Sequence, residues 1–244
     1  MQRSKRTHMT EILVITPVKD ALENTLQTAR AIQSSSIAVE HNVFNDFSLE
    51  ATTQSLEENK GRIGYSHIIL EDITDTPSPN YKLVLQMAQK KAIERQLPLV
   101  IIESDVEIKS DTLEKMLRFY KDHPKAGLIG AITVDREGKI NFPYLKFKDI
   151  KETQISTTRS LSFCCTLFSL DFLKSYDFSD LDDTKHWYDT TISQKSISEG
   201  FKNYVLMDVP VLHKPHGSRP WKNLKYSKPL KYYWKKFWYA KDKI

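Results

Sequence analysis

The amino-acid sequence predicts an α/β domain whose central sheet is mostly parallel and flanked by helices. Over roughly the first hundred residues, short apolar strands alternate with segments whose apolar residues recur at helical spacing. This alternation implies right-handed crossovers and a sheet that is covered on both faces. Beyond residue 110 the pattern mixes hairpins with one or two helices, which indicates a smaller mixed subregion within the same domain.

Length and composition describe an ordinary globular protein. The 244 residues are 40% hydrophobic and 27% charged, which argues against a disordered chain. No apolar run reaches the roughly 18 residues of a membrane span, and the basic N-terminus is not followed by the apolar segment of a signal peptide. The adjacent Cys164 and Cys165 favour a reducing compartment and two buried, apolar, unbridged side chains. We therefore expect a cytoplasmic protein.

The individual elements follow from apolar patterns and the residues that flank them. The first strand should stop at Pro17, while Asp20 and Ser48 are candidate caps of the next two helices. A polar turn at 135–139 predicts a hairpin. The predicted strands are 12–16, 37–44, 68–70, 99–102, 127–133, 161–170 and 204–211, and the predicted helices are 22–32, 49–60, 81–95, one that starts at 110–111, a turn at 171–175, and 187–200.

Three of the predicted strands end in acidic or amide side chains, at Asp20, at Asp46 and at Glu103-Ser104-Asp105. Because the carboxyl ends of parallel strands share one edge, these side chains should converge where open α/β folds bind ligands. Hard cations such as Mn2+ or Mg2+ prefer carboxylate oxygens and share their remaining positions with substrate phosphates. We therefore predict that the triplet holds a divalent metal and, through it, a nucleotide diphosphate. A surface acidic turn that caps a helix is the simpler alternative.

Two further segments carry side chains suited to chemistry. Asp189 can act as a general base toward a hydroxyl, and the flanking Trp187 and Tyr188 can stack on a sugar face. The alternatives are an acidic residue stabilised by a helix dipole and two core aromatics. His213 follows a buried strand and is either a loop residue or a metal ligand together with Asp105. Spacing in the sequence does not decide between these alternatives.

The C-terminal segment 219–244 interleaves lysines with Trp, Tyr and Phe. Aromatic side chains favour the headgroup layer and lysines favour anionic lipid, so residues 219–243 predict an interfacial helix on a membrane surface. Packing of the same helix on the body, with its lysines in solvent, is the alternative. Single-stranded nucleic acid would also suit this composition, but we expect no nucleic-acid partner.

Taken together, these segments resemble the family 2 glycosyltransferases with the GT-A fold, of the bacterial surface-glycan type. The resemblance covers nearly the whole chain, and the order and spacing of the motifs carry it. The matching segments are Ile-Leu-Val-Ile-Thr-Pro-Val-Lys-Asp at 12–20, Phe-Asn-Asp-Phe-Ser at 44–48, Asn-Tyr-Lys-Leu at 80–83, Glu103-Ser104-Asp105 in place of the DXD motif, Lys-Ile-Asn-Phe-Pro at 139–143, Tyr188-Asp189 in place of a Glu-Asp pair, and Val-Leu-His-Lys at 211–214.

The resemblance implies a Rossmann-like GT-A domain at 11–218, between a disordered N-terminus at 1–10 and the basic aromatic tail at 219–244. Within it, 11–109 would bind the nucleotide-sugar and 110–218 would bind the acceptor. Asp189 would be the catalytic base, and Asp105 and His213 would be the metal ligands. The donor-binding residues that the resemblance implies are Thr16, Pro17, Asp20, Asp46, Asn80, Glu103, Ser104 and Asp105, and the acceptor-binding residues are Trp187 and Tyr188.

The activity that the resemblance implies is an inverting, Mn2+- or Mg2+-dependent transfer from a nucleotide diphosphate sugar, with UDP-sugars favoured. The acceptor would be a hydroxyl of a glycan or of a lipid-linked acceptor in surface polysaccharide synthesis, and the tail would dock on the inner face of the cell membrane. The sequence departs from the family pattern at Glu103, Tyr188 and Phe47, which replace Asp, Glu and Gly. A degenerate, non-catalytic binding subunit and a sugar nucleotidyltransferase are the alternatives, although residues 16–21 lack the glycine of a phosphate loop.

Overall fold

The structure, a computed structural model, describes residues 10–182 and 187–214 together with positions 230, 231 and 234. The strands in this part of the chain are β1 (Ile12–Val18), β2 (Val39–Asn45), β3 (Ser66–Ile69), β4 (Leu99–Ile102), β5 (Val106–Glu107), β6 (Ala126–Val134), β7 (Gln154–Thr157), β8 (Cys165–Phe168) and β9 (Lys202–His213). The α-helices are α1 (Leu22–Gln33), α2 (Glu50–Ile63), α3 (Tyr81–Arg95), α4 (Thr112–Asp122), α5 (Leu170–Ser175) and α6 (Tyr188–Ser198), and 3-10 helices span Leu70–Asp72, Leu145–Phe147 and Phe178–Asp180.

The described strands form one mixed sheet in the order β3-β2-β1-β4-β8-β6-β9-β5, and β7 also pairs with β9. Strands β3, β2, β1 and β4 run parallel to one another. Strand β8 lies antiparallel between β4 and β6, and β6 is parallel to β9. The predicted α/β class is therefore confirmed, with the parallel half formed by the first hundred residues and the mixed half by the rest.

The core lies on both faces of the sheet because side chains alternate along its central strands. Leu99 and Ile101 of β4 belong to a cluster that includes the inward face of α3, whereas Val100 and Ile102 belong to a second cluster with α4. All four side chains of β4 have no exposed surface. Burial of each stabilises the fold by about 1.5–3 kcal/mol, which explains why a four-residue apolar run suffices for a central strand.

Pro17 does not end the first strand, contrary to prediction. β1 continues to Val18, and Pro17 is paired with Phe44 of β2. The pairing of β1 with β4 ends at Ile15 and Ile101. Proline is tolerated where a strand has an open side, because its missing N–H then removes no ladder bond.

Several other boundaries differ from the predicted ones. The predicted strand at 161–170 is shorter, since β8 covers Cys165–Phe168 and α5 begins at Leu170. The predicted hairpin around 135–139 is reduced to a single antiparallel bridge between Val134 and Ile140. Strands β5 and β7 were not predicted, because β5 has only two residues and β7, Gln154–Thr157, has a single apolar residue.

The chain divides into a unit that ends at His213 and a second unit, Lys214–Ile244. In the second unit, the described positions Leu230, Lys231 and Trp234 are helical and exposed. The rest of the predicted tail, and residues 1–9 of the predicted disordered N-terminus, lie outside the described residues. Among the residues that are described, no helix combines the length and the hydropathy needed to cross a membrane.

Candidate functional site at the carboxyl edge of the sheet

The carboxyl ends of β1, β2 and β4 meet at one edge of the sheet, as predicted from their parallel order. The loops that follow β1 and β2 are joined directly. The backbone N–H of Asp46 donates to the carbonyl of Val18 at 2.8 Å, and the Lys19 ammonium donates to the carbonyl of Phe47 at 3.0 Å. Phe47 adopts a positive φ of 57°, so a non-glycine residue occupies the left-handed conformation at this turn.

Asp20 and Ser48 do not cap their own helices, which corrects the sequence prediction. Neither α1 nor α2 has a side-chain cap at its N-terminus. Instead, Asp20 Oδ1 accepts from the backbone N–H of Leu49 at 2.6 Å, and Ser48 Oγ accepts from the N–H of Asp20 at 3.0 Å. The two loops thus stabilise each other. Asp20, which has a positive φ of 53°, is exposed beside the edge.

Asp46 holds the loop that leads into α3. Its Oδ2 accepts from Ser78 Oγ at 2.8 Å and from the backbone N–H of Asn80 at 2.9 Å, and its Oδ1 accepts from Asn80 Nδ2 at 2.8 Å. Asn80 is buried and also donates to the carbonyl of Thr76 at 2.8 Å. Asp46 and Asn80, both predicted to bind the donor, are therefore hydrogen-bonded to each other and form one rigid element at this edge.

Thr16 is fully buried at the end of β1 and contacts the adjacent strand through its hydroxyl. Thr16 Oγ1 lies 3.0 Å from Nε2 of His41 on β2, and Pro17 beyond it is half-buried. Burial lowers the pKa of His41 to about 3, so this imidazole is neutral in the folded protein. The side chain of Thr16 therefore contacts strand β2. The backbone that follows Thr16 leads to the carboxyl edge of the sheet.

The triplet Glu103-Ser104-Asp105 connects the centre of the sheet to its far side. It links β4 to β5, and β5 pairs with β9 so that Val106 lies opposite His213. Ser104 is 92% buried. The Thr28 hydroxyl of α1 lies 3.0 Å from the carbonyl oxygen of Ser104 and thereby fixes this turn. The result is that Asp105 Oδ2 lies 3.6 Å from Nε2 of His213, so the two residues predicted as metal ligands are neighbours.

His213 is buried, and a hydrogen bond fixes the orientation of its ring. Its Nδ1 lies 2.7 Å from the carbonyl of Phe142, which accepts hydrogen bonds only, so Nδ1 carries the proton and Nε2 faces Asp105. Asn141 Nδ2 donates to the backbone carbonyl of His213 at 3.0 Å. Burial alone would lower the pKa of His213, but Asp105, the Phe142 carbonyl and Glu103 together raise it above its usual range.

Cys164 belongs to the same cluster, which the sequence analysis did not anticipate. Its Sγ lies 3.5 Å from Glu103 Oε2 and 3.9 Å from His213 Nε2. Burial and the charge of Glu103 raise the pKa of the Cys164 thiol well above its usual range, so it is a hydrogen-bond donor in this arrangement. The expected buried, unbridged Cys164 does pack in a hydrophobic cluster, and in addition it contacts Glu103 and His213. The adjacent Cys165 is buried, and its Sγ lies 3.8 Å from the sulfur of Met116.

The pairing of β4 with β8 explains why Cys164 was missed. Ile102 pairs with Cys165, and the N–H of Glu103 donates to the carbonyl of Cys164 at 3.0 Å. Glu103 and Cys164 therefore lie side by side although they are 61 positions apart in sequence.

Stacked aromatic rings connect the start of α6 to this cluster. The ring of Tyr81 stacks on Tyr188 at a centroid distance of 6.2 Å and on Phe163 at 6.4 Å. Tyr188 is 94% buried, which favours a packing role over contact with an acceptor, whereas Trp187 is half-buried. Asp189 is half-buried in the first turn of α6, and its Oδ1 accepts from the N–H of Thr190 at 2.8 Å.

The architecture described above is that of the GT-A glycosyltransferases. The crystal structure of S. aureus TarS 1–349 superposes with a TM-score of 0.66 at 18% identity, covering 84% of this chain and 60% of that one. The same TarS fragment in complex with UDP gives a TM-score of 0.67 at 17% identity, with coverages of 88% and 64%. The mannosyltransferase PcManGT from Pyrobaculum calidifontis, in complex with GDP-Man and Mn2+, gives 0.63 at 15% identity, with coverages of 94% and 64%.

These similarities establish the fold. The chain spans less than two thirds of the length of these structures, since it covers 60–64% of each. No protein-family model matches the sequence, and no curated protein matches it either. The GT-A fold that the motifs indicated is therefore confirmed by architecture, with low sequence identity.

Proposed function

We propose that this protein is an inverting glycosyltransferase that moves a sugar from a nucleotide diphosphate donor, preferably a UDP-sugar, to a hydroxyl of a glycan or of a lipid-linked acceptor. The observation that carries the proposal is the cluster of Glu103, Asp105, Cys164 and His213 at the carboxyl edge of a GT-A sheet. Structures of the same fold contain UDP, UDP-GlcNAc or GDP-Man, which supports a nucleotide-sugar as the donor class.

The residues of this cluster fit a divalent cation, Mn2+ or Mg2+ in our proposal. Asp105 offers a carboxylate oxygen, and His213 offers Nε2, whose lone pair is available because Nδ1 carries the proton. The Phe142 carbonyl that holds the Nδ1 proton is the type of outer partner that orients a metal-bound histidine. Asp105 and His213 would hold the cation. When bound, it would supply positive charge against the diphosphate leaving group.

Asp189 is our candidate for the general base. Its carboxylate would take the proton of the acceptor hydroxyl as the acceptor oxygen bonds to the anomeric carbon and the bond from that carbon to the diphosphate breaks. Attack opposite the leaving group inverts the anomeric configuration. The position of Asp189 supports this role, because the stack of Tyr188, Tyr81 and Phe163 joins the start of α6 to the turn that carries Phe163 and Cys164.

The rigid loops supply orientation, which is a large part of the rate in a two-substrate transfer. Asp46 and Asn80 lock the loop before α3, and Asp20 and Ser48 lock the loops after β1 and β2. Our proposal is that the nucleotide lies against these locked loops and that the half-buried Trp187 contacts the acceptor. In the second unit, the exposed Leu230 and Trp234 support docking on an anionic membrane surface, through 219–243, from the cytoplasmic side.

Thermal unfolding in the presence of nucleotides tests the donor and the cation together. UDP and GDP would be added to the full chain with and without Mn2+. A ligand at about 100 times its Kd stabilises the fold by about 2.7 kcal/mol, which corresponds to a rise in Tm of about 5–10 °C for a domain of this size. We expect the larger rise with UDP, and only when Mn2+ is present.

A matched pair of histidine variants assigns the effect to the cluster. His213→Ala should lose the part of the UDP shift that depends on Mn2+. His123→Ala should keep it, because His123 ends α4 and its carbonyl accepts from Ala126 at the start of β6, on the opposite edge. An unchanged Mn2+-dependent shift in His213→Ala would show that the cation does not bind at this cluster.

A further inference from the structure

Cys164 and Glu103 are the members of the cluster to which the proposed reaction gives no role. The sulfur of Cys164 is buried and lies 3.5 Å from Glu103 Oε2, 3.9 Å from His213 Nε2 and 3.3 Å from Ser162 Oγ. The possible metal-ligand atoms of Glu103, Cys164 and His213, one from each residue, all lie within 4.8 Å of one another. A purely packing role does not require a carboxylate and an imidazole around one thiol.

The spacing of Glu103, Cys164 and His213 fits three ligands of a four-coordinate metal site. In a tetrahedral site with metal–ligand distances of about 2.0–2.3 Å, neighbouring ligand atoms lie about 3.3–3.8 Å apart. The measured separations are 3.5 Å from Cys164 Sγ to Glu103 Oε2 and 3.9 Å from Cys164 Sγ to His213 Nε2. Asp105 Oδ2 lies 3.6 Å from His213 Nε2 but outside this group of three mutually close residues. Mg2+ instead demands six near-octahedral oxygen ligands.

We infer that Cys164 is a ligand of this cation site and makes it select transition-metal ions, Zn2+ and Co2+ above all and Mn2+ to a lesser degree, over Mg2+. This inference rests on the proposed function only in that both place a cation at Asp105 and His213. Sulfur and imidazole ligands favour zinc and cobalt, whereas magnesium is held by oxygen. On binding, the sulfur–hydrogen bond of Cys164 is replaced by a sulfur–metal bond, and the proton leaves to solvent.

Cobalt absorption spectroscopy on the full chain tests the ligand directly. Added Co2+ should produce the near-ultraviolet charge-transfer band of a cobalt–thiolate bond in the wild type and in Cys165→Ser. Cys165 is the matched control, because its sulfur contacts Met116 and not the cluster. Cys164→Ser should lack the band and bind Co2+ and Zn2+ at least about tenfold more weakly by calorimetry. Excess Mg2+ should leave the wild-type band in place.

The outcomes separate this inference from the proposed function. Co2+ binding by the wild type without a thiolate band would overturn ligation by Cys164 and leave Asp105 and His213 as the cation site. Absence of any divalent cation binding, with or without UDP, would overturn both proposals. Should Cys164→Ser not fold, X-ray absorption of the zinc-loaded wild type decides the question, because it registers whether sulfur is a ligand; a spectrum with only oxygen and nitrogen neighbours would refute the inference.

Discussion

Acidification should destabilise the protein through one buried imidazole, that of His41. The ring lies between strands with its Nε2 on Thr16 and its edge against Tyr65, and it is fully buried. Among the described residues, its Nδ1 has no hydrogen-bond partner. Protonation in place would bury an imidazolium with a proton that nothing accepts, which is why burial lowers the pKa of His41 from 6.5 to about 3.

The size and sign of the effect follow from this shift. Between about pH 6.5 and about pH 3, the unfolded chain binds a proton at His41 that the folded protein does not, so the free energy of unfolding falls as the pH is lowered. Each pH unit in this window removes about 1.4 kcal/mol. From about pH 7.5 to about pH 4.5, His41 should therefore remove about 2.7 kcal/mol, a large share of the stability of a typical domain.

Urea unfolding of the wild type and of His41→Gln at several pH values isolates this contribution. Glutamine keeps a polar group near Thr16 but does not titrate, and all other titrating groups, His213 included, are common to both proteins. The difference in free energy of unfolding between them should shrink by about 2.7 kcal/mol over this range. Parallel pH profiles, with a constant difference, would refute the assignment of a buried neutral His41.

Three further expectations test the site, the packing and the tail. Asp189→Asn should reduce sugar transfer by at least about 100-fold while keeping the UDP-dependent rise in Tm, and normal turnover would exclude it as the base. Gly127→Ala should lower the free energy of unfolding in urea by about 1–3 kcal/mol, because the added methyl group would lie 2.7 Å from Cβ of Phe201. Gly61→Ala, in α2, should raise it by up to about 1 kcal/mol, because nothing lies within 4 Å of the added methyl group. Leu230→Glu should weaken co-sedimentation with anionic vesicles, and equal sedimentation of both proteins would contradict membrane docking through the tail.

The parallel half of the fold could be predicted from sequence because its signals are local. The helix Tyr81–Arg95 and the strand Leu99–Ile102 lie where periodicity and β-branched runs placed them. The meeting of the strand ends at one edge of the sheet could also be predicted, because parallel order alone brings these ends together. The mixed half was less accessible, because Val106–Glu107 becomes a strand only through its partner β9, which lies far along the chain.

The candidate site shows the same division between local and long-range information. Glu103 and Asp105 were identifiable from the strand that precedes them, but the neighbours that define their chemistry come from elsewhere. Cys164 reaches Glu103 through strand pairing, and Phe142 reaches His213 across 71 positions. The exchange of bonds between the loops of Asp20 and Ser48 was likewise invisible, because a cap is predicted from adjacent residues and these bonds cross between two loops.

The antiparallel contact between Val106 and His213 has a consequence for biosynthesis. In the proposed cation site, the last ligand, His213, is the final residue of the last described strand, so a nascent chain could not complete the site until β9 has been made and has docked. Cation binding at the proposed site would then stabilise the completed unit and not a fragment that lacks β9.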